Sequence, residues 1–340
     1  MDERIRSVVA GQEAYVVGGA VRDQLLGRAV LDVDVACREP KSAARDFARV
    51  SGGSPFLLSA RHGAWRVALD DGRTVDFTLL EGAIEDDLAG RDFTINAIAI
   101  RLEGGNEIDP FGGRRDIAGR RLRTVTEDTF RDDPLRLLRA ARLEDELAMR
   151  LDPASEVLVR RDAALVTDPA GERILAELLR LSRTGYLRLD ELGLLAPLGG
   201  STERIRQIGP EASPELLLVC ALGHDVVRLP ISNETRRFAR ILLSAEPPVD
   251  ASPRAIHRFR RKTEPWAIET LRFLGVTEFE GAVSASRAEE PAEPLLRGDE
   301  LGVAPGPEVG RLLELIAEER AAGTIRMREE ALELAQRERR

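Results

Sequence analysis

Short apolar runs alternate with polar breaks over the first third of the chain. Ala14–Val17, Val33–Ala36, Phe56–Ser59, Trp65–Leu69 and Thr74–Leu79 are β-type runs, several closed by Gly or Asp pairs, and the pattern predicts strands there. Val21–Leu26 and Lys41–Val50 carry apolar residues at three- and four-residue spacing, which predicts helices between those strands. After Phe111-Gly112-Gly113 the spacing becomes helical throughout, and nothing beyond Thr126 predicts a sheet. The expected fold class is therefore α+β, a mixed β-sheet with helices at the N-terminus followed by an all-α remainder. Pro-rich breaks at Glu246-Pro247-Pro248 and Glu290-Pro291-Ala292-Glu293-Pro294 divide the helical part, and no internal repeat of fixed period is evident.

Composition narrows the class. At 340 residues, with 43% hydrophobic and 32% charged positions, the chain has enough apolar material for two or more packing units and is not expected to be disordered. Its net charge of -9 gives no general attraction for a polyanion, so any nucleic-acid contact has to be local. Only Lys41 and Lys262 are lysine among 50 basic residues, so an arginine carries meaning only where its spacing singles it out. Cys37 and Cys220 are too few for a disulfide framework or a Cys-based zinc site, and buried free thiols are expected. No apolar leader follows Met1 and no later stretch approaches the roughly 18 apolar residues of a membrane span, so a cytoplasmic protein without membrane contact is expected. Nothing in the pattern specifies an oligomeric state.

The densest chemistry lies in Val17-Gly18-Gly19-Ala20-Val21-Arg22-Asp23-Gln24-Leu25-Leu26-Gly27, followed by Asp32-Val33-Asp34. A strand that ends in paired glycines and turns into a helix brings backbone N–H groups close to a bound phosphate, and Arg22 adds a fork of donors. Period-two geometry puts Asp32 and Asp34 on one face of a strand, where two carboxylates stay ionised at low cost only with a cation between them. Magnesium suits such a pair because it is hard and bridges polyphosphates.

These motifs resemble the class II tRNA nucleotidyltransferases and their relatives, the bacterial poly(A) polymerases. The Gly-Gly-x-Val-Arg-Asp-x-Leu-Leu-Gly corner and the Asp-x-Asp pair are that family's hallmark. Further stretches are similar in order: Arg61-His62-Gly63 with Ala64 in place of the usual threonine, Arg91-Asp92-Phe93-Thr94-Ile95-Asn96-Ala97, Asp109-Pro110-Phe111-Gly112-Gly113, Asp132-Asp133-Pro134-Leu135-Arg136 through Arg142, Glu172-Arg173-Ile174 with Glu177 and Leu178, and the tail from Leu301 to Gly310 and Gly323-Thr324-Ile325. The resemblance implies a nucleotidyltransferase head, or palm, over residues 1–122, a helical neck with a base-reading helix over 123–185, and an RNA-binding body and tail over 186–340. It implies template-independent addition of C and/or A to the 3′ end of tRNA from CTP or ATP, with pyrophosphate released, by a two-metal mechanism on Asp32 and Asp34. Gly19, Arg22 and Arg91 are expected to meet the nucleotide. Asp133, Arg136, Arg139 and Arg142 recur every third position and form a polar ridge, which by itself is either a salt-bridged face or a set of donors and acceptors for a base edge. The resemblance assigns base reading to Asp133 and Arg136 and phosphate approach to Arg139 and Arg142.

Other features stay ambiguous in the sequence. Asp76 is either a third carboxylate beside the metal pair or a strand-end residue, and Asp92, Thr94 and Asn96 either meet the sugar or fix a local turn. His224-Asp225 lacks the clustered histidines of a metal hydrolase. The run Arg254–Lys262 either grips an RNA backbone or is a charged helix surface, and Gly302–Gly310 either presents N–H groups to a phosphate or is a turn. Only Thr78 to Glu85 separates Phe77 from Asp86, shorter than the Tyr- and Arg-containing loop of many full CCA-adding members. Loss of that loop goes, in the family, with addition of the two cytidines alone, so CC, A and CCA all remain open. The alternatives are a poly(A) polymerase and a non-catalytic RNA- or nucleotide-binding protein on the same fold.

Overall fold

The structure, a computed structural model, describes residues 2–60, 63–291 and 293–339. The chain forms two compact units, Met1–Gly199 and Gly200–Arg340. The expected motif Arg61-His62 lies outside the described residues.

The first unit is built on a seven-stranded mixed sheet: β1 (Ala14–Val17), β2 (Asp32–Cys37), β3 (Ser54–Ser59), β4 (Ala64–Ala68), β5 (Thr74–Leu79), β6 (Ala99–Arg101) and β7 (Glu107–Ile108). Their spatial order is β3-β4-β5-β2-β1-β6-β7. Within this sheet, among the described residues, only β2 and β5 pair in parallel, with Asp34 opposite Asp76. A parallel pair needs a crossover, and the chain supplies it between them. Helices α1 (Glu3–Val8), α2 (Gly19–Leu25), α3 (Pro40–Ser51) and α4 (Ile84–Ala89) belong to this head.

Helix α3 shows why one face of the sheet is closed. It begins with Pro40 in its first turn and ends at Gly52 in the left-handed conformation, φ 79°. Its apolar positions, Ala43, Ala44, Phe47 and Ala48, are buried, and the Phe47 ring meets Phe77 of β5 at a centroid distance of 5.8 Å. Burying a phenylalanine of this kind contributes about 1.5–3 kcal/mol. Lys41 and Arg45 of α3 lie over the Trp65 ring of β4 at 5.6 and 5.9 Å. Side chains on a strand alternate between faces, so Val35, Phe77, Trp65 and Leu57, which share a row of the sheet, belong to the α3 face, and Asp34, Asp76, Arg66 and Phe56 to the opposite one.

After the sheet come α5 (Gly113–Ala118), α6 (Thr129–Asp132), α7 (Leu135–Leu147), α8 (Pro153–Asp162), α9 (Gly171–Leu178) and α10 (Arg183–Glu191). The Asp109-Pro110-Phe111-Gly112-Gly113 segment works as a cap. Asp109 accepts the Gly113 and Arg114 N–H groups at 2.7 and 3.0 Å, and a Cβ on Gly113 would sit 2.0 Å from the Thr94 carbonyl oxygen. One expectation is corrected: a strand lies beyond Thr126, β9 (Arg150–Leu151), which pairs in parallel with β8 (Arg121–Leu122). Two residues are too few for period-two alternation to register.

The second unit is helical: α11 (Pro214–Leu222), α12 (Asn233–Ser244), α13 (Pro253–Thr263), α14 (Ala267–Leu274), α15 (Glu280–Ala288), α16 (Pro307–Ala321) and α17 (Arg328–Arg337). Ser213, Ser232 and Ser252 each cap a helix by accepting a first-turn N–H. Ile256, Phe259, Ala267, Leu271 and Val283 form a core joining α13 to α15. The basic run Arg254–Lys262 lies on α13, and much of its charge is paired with carboxylates of α16: Arg254 with Glu318 and Glu319, Arg258 with Glu318, Arg261 with Glu314. Asp225 pairs with Arg228. Cys37 and Cys220 are buried free thiols, as expected, and burial pushes both up to about 12. No described helix is long and apolar enough to cross a membrane.

Candidate active site

The corner between β1 and α2 is tight because Gly18 stands there with φ 71° and ψ −136°, a conformation that L side chains avoid. A Cβ on Gly18 would lie 3.1 Å from Nη1 of Arg91 and 3.4 Å from Oδ2 of Asp34. Strand β1, the start of β2 and the segment after α4 thus converge on one point. Gly18 is the glycine that this convergence requires; a Cβ on Gly19, the glycine expected to meet the nucleotide, would make an ordinary 3.5 Å contact with Arg22.

Asp32 and Asp34 open β2, two residues apart, and Asp76 stands opposite Asp34 on β5. Burial pushes the Asp34 carboxyl above its ordinary range; the charge of Arg91 opposes this, and Asp76 and Asp32 add to it. Asp32 accepts a hydrogen bond from Thr74 Oγ1 at 2.7 Å. Asp76 is held by Arg66, whose Nε and Nη2 each donate at 2.7 Å. Asp76 is therefore at the site rather than at a remote strand end, with a guanidinium as its partner. Among the described residues no group of three or more His, Cys, Asp or Glu forms a metal cage. A pair of carboxylates with open positions nevertheless fits a hard divalent ion, which is commonly held by one or two carboxylates and the oxygens of its substrate.

Arg22 is buried. Its Nε and Nη2 donate to Asp23 at 3.0 and 2.9 Å, and its Nη1 donates to Asn96 Oδ1 at 2.8 Å. Asn96 Nδ2 donates in turn to Asp92 at 2.9 Å, and the other oxygen of Asp92 accepts from Nε and Nη2 of Arg139 at 2.8 and 2.6 Å. A polar chain thus runs from the glycine corner to α7. Burial acts to raise the Asp92 carboxyl, but the Arg139 charge and the bonds from Asn96 and the Phe93 N–H outweigh it and hold the group below its usual range.

The ridge needs one correction. Asp133 precedes the helix: it has extended backbone, φ −145°, and α7 begins at Leu135 after Pro134. One Asp133 oxygen accepts the Leu135 N–H at 3.2 Å and the other accepts Arg173 Nη2 at 2.8 Å. Arg136 donates to the Gly90 carbonyl at 2.6 Å, beside Arg91. Arg91 donates through Nε and Nη2 to Asp87 at 3.1 and 2.8 Å, leaving Nη1 toward Gly18. Arg142 is buried and bound to Glu177 and Glu146, each at 2.5 Å. Asn96, weighed as either a sugar contact or a turn residue, is bonded to Arg22 and Asp92 here. Gly18, Arg66 and Arg173 belong to these clusters and were given no site role from the sequence; for Gly18 the paired glycines were a signal, while the partners of Arg66 and Arg173 become visible only with the strand register and the helix packing.

A model of the Poly A polymerase head domain matches residues 14–79 and 60–123. An A-adding tRNA nucleotidyltransferase of Deinococcus radiodurans is 34% identical to this chain, with 95% of each covered. The chain belongs to the tRNA nucleotidyltransferase family. A CC-adding tRNA nucleotidyltransferase of Thermus thermophilus is similarly related, at 33% identity over 94% of this chain and 92% of that protein. The fold is also that of solved CCA-adding enzymes. The Thermotoga maritima enzyme complexed with tRNA superposes with a TM-score of 0.79 at 23% identity, covering 98% of this chain and 94% of that one. The Bacillus stearothermophilus enzyme in complex with CTP gives 0.76 at 26% identity, covering 98% and 97%. For a tRNA nucleotidyltransferase, the described cluster offers two carboxylates on one strand, a glycine at positive φ and guanidinium groups, chemistry suited to a phosphoryl-transfer centre.

Proposed function

We propose that this tRNA nucleotidyltransferase adds C and/or A to the 3′ end of tRNA, using CTP or ATP, in the cytoplasm and with magnesium held by Asp32 and Asp34. The observation that carries the reading is the convergence of Asp34, Gly18 and Arg91, in which a carboxylate, a bare backbone turn and a guanidinium edge meet. When bound, the divalent ion supplies neutralisation of the triphosphate and acidification of the RNA hydroxyl. The chain's own groups do the positioning. Gly18 and Gly19 let the backbone approach phosphate, Arg91 offers Nη1 to it, and Arg22 stiffens the corner through Asn96. Asp133 and Arg136 present an acceptor and a donor fork to the base edge, Arg139 acts through Asp92, and Arg142 anchors α7 beneath them. Only Leu80–Ala83 joins β5 to α4, and relatives of comparable identity include both A-adding and CC-adding enzymes, so the product identifies which part of CCA is made.

The test is incubation with magnesium, tRNA lacking its 3′ CCA or ending in CC, and CTP and ATP separately and together, with the products sized. Extension by C, A or both is expected, and Asp32→Ala with Asp34→Ala should abolish it while leaving the thermal midpoint within a few degrees. No extension with any combination would sink the catalytic reading. Processive addition of many A residues would favour a poly(A) polymerase.

A further inference from the structure

The groups proposed to meet the triphosphate lie on one flank of Asp34. Gly18 and Gly19 follow β1, and Arg91 and Asn96 lie just before β6, all on the side of the sheet that runs β2-β1-β6. The other flank, β5-β4-β3, carries a row in exact register on the same face as Asp34: Asp76, then Arg66, then Phe56. Strand spacing of about 4.8 Å puts Arg66 roughly 10 Å and Phe56 roughly 14 Å from the Asp34 backbone, the scale of a nucleotide unit and its neighbour. Phe56 is 45% exposed and Arg66 keeps 35% of its side chain exposed. With Leu57 and Leu58 also half exposed, β3 is an apolar edge strand that the described residues leave uncovered. Its Leu57 belongs to the α3 row, so Phe56 is the aromatic that shares the metal-binding face.

In-line transfer places the attacking hydroxyl opposite the leaving pyrophosphate. If triphosphate lies toward Gly18 and Arg91, the RNA end has to arrive over β5 and β4. We propose that the Asp76–Arg66–Phe56 row is the seat of the RNA 3′ end, with Phe56 stacking on a terminal base and Arg66 meeting the adjoining backbone phosphate. Single-stranded RNA ends are held by this combination of an aromatic face and a guanidinium, without demand on base identity. Continuity with the carboxylate pair and the positive charge of Arg66 select RNA over an apolar partner. The bidentate grip of Arg66 on Asp76 leaves Nη1 as its unspent end and fixes where that end points. This inference rests on the reading of Asp34 as the reacting centre.

The experiment uses the full chain and a tRNA lacking its 3′ CCA, with 2-aminopurine as the terminal base. Wild type and Phe56→Trp should quench the fluorophore on binding. Phe56→Ala should lose most of the quench, weaken RNA binding roughly tenfold and raise the KM for RNA in step with that loss. Arg66→Gln should lower the slope of log affinity against log salt by about 0.7, the loss of one single-strand phosphate contact. Wild-type quench and affinity in Phe56→Ala would overturn the proposal. So would a Phe56→Ala variant that turns a dimer into a monomer in sedimentation with RNA binding unchanged, which would make β3 an interface between copies. If wild type extends no RNA with either nucleotide, the functional reading fails first, whereas extension by wild type with an indifferent Phe56→Ala defeats only the platform.

Discussion

Asp92→Asn tests the polar chain that ties the glycine corner to α7. Asp92 is 6% exposed and accepts four hydrogen bonds: from the Phe93 N–H, from Asn96, and two from Arg139. The asparagine keeps the size and one acceptor oxygen but removes the charge that Arg139 faces. Breaking a buried ion pair costs about 3–5 kcal/mol; Arg139 is 34% exposed and water takes up part of its charge, so about 2–4 kcal/mol is expected. In a unit of this size that corresponds to a fall of about 5–12 °C in the melting midpoint of its transition. The Asp92 carboxyl is held below its ordinary range, so its contribution is fully present above the unfolded-state value, about 3.9, and is lost as pH falls through the depressed folded-state value. The difference between wild type and Asp92→Asn, read by urea denaturation, should therefore stay constant from pH 7 to about 5 and shrink below about 4. A cycle with Arg139→Met should show strong coupling, because the double variant lacks the orphaned charge. A cost below about 0.5 kcal/mol, additive single losses, or a gap that widens in acid would each refute the reasoning.

Gly18→Ala puts a side chain at φ 71° and a Cβ 3.1 Å from Arg91, so about 1–3 kcal/mol of stability should go and nucleotide transfer should fall steeply; a variant as active as wild type would mean the corner does not approach substrate. Cys37 and Cys220 are buried and pushed up to about 12, so a disulfide-exchange thiol reagent at pH 8 should leave both untouched in the folded protein and titrate both in denaturant. Rapid labelling of the native protein would contradict that burial.

The bounds of β1 and β5 were legible because Ala14–Val17 and Thr74–Leu79 are short apolar runs closed by turn residues. Strands β6 and β7 were not, since three and two residues carry no periodicity and are held by pairing to β1 and to each other. The three-residue spacing puts Asp133 on the helix, but the next residue in the sequence argues against it. A proline bars the residue before it from the helical region, and Pro134 puts Asp133 in extended backbone. That one step changes the chemistry: Asp133 becomes an acceptor ahead of α7 that Arg173 reaches from α9. The basic run on α13 was legible as charge but not as a seam, because its carboxylates follow some 53–65 residues later on α16.

The same hidden pairing changes the meaning of the acidic balance. Arg91 spends Nε and Nη2 on Asp87, and Arg66 spends the same two nitrogens on Asp76. A guanidinium is a rigid planar fork, so fixing one edge fixes the direction of the other. In Arg91 the remaining edge points at Gly18, beside Asp34. On the proposed function, carboxylates that look from the composition like repulsion toward a nucleotide would hold these cations in place before it arrives, which would remove side-chain ordering from the cost of binding. A net charge of -9 is therefore compatible with a proposed nucleotide site in which Arg91 and Arg66 are oriented by acids rather than left free. Replacing Asp87 by alanine would make the chain less acidic and yet weaken its hold on a triphosphate.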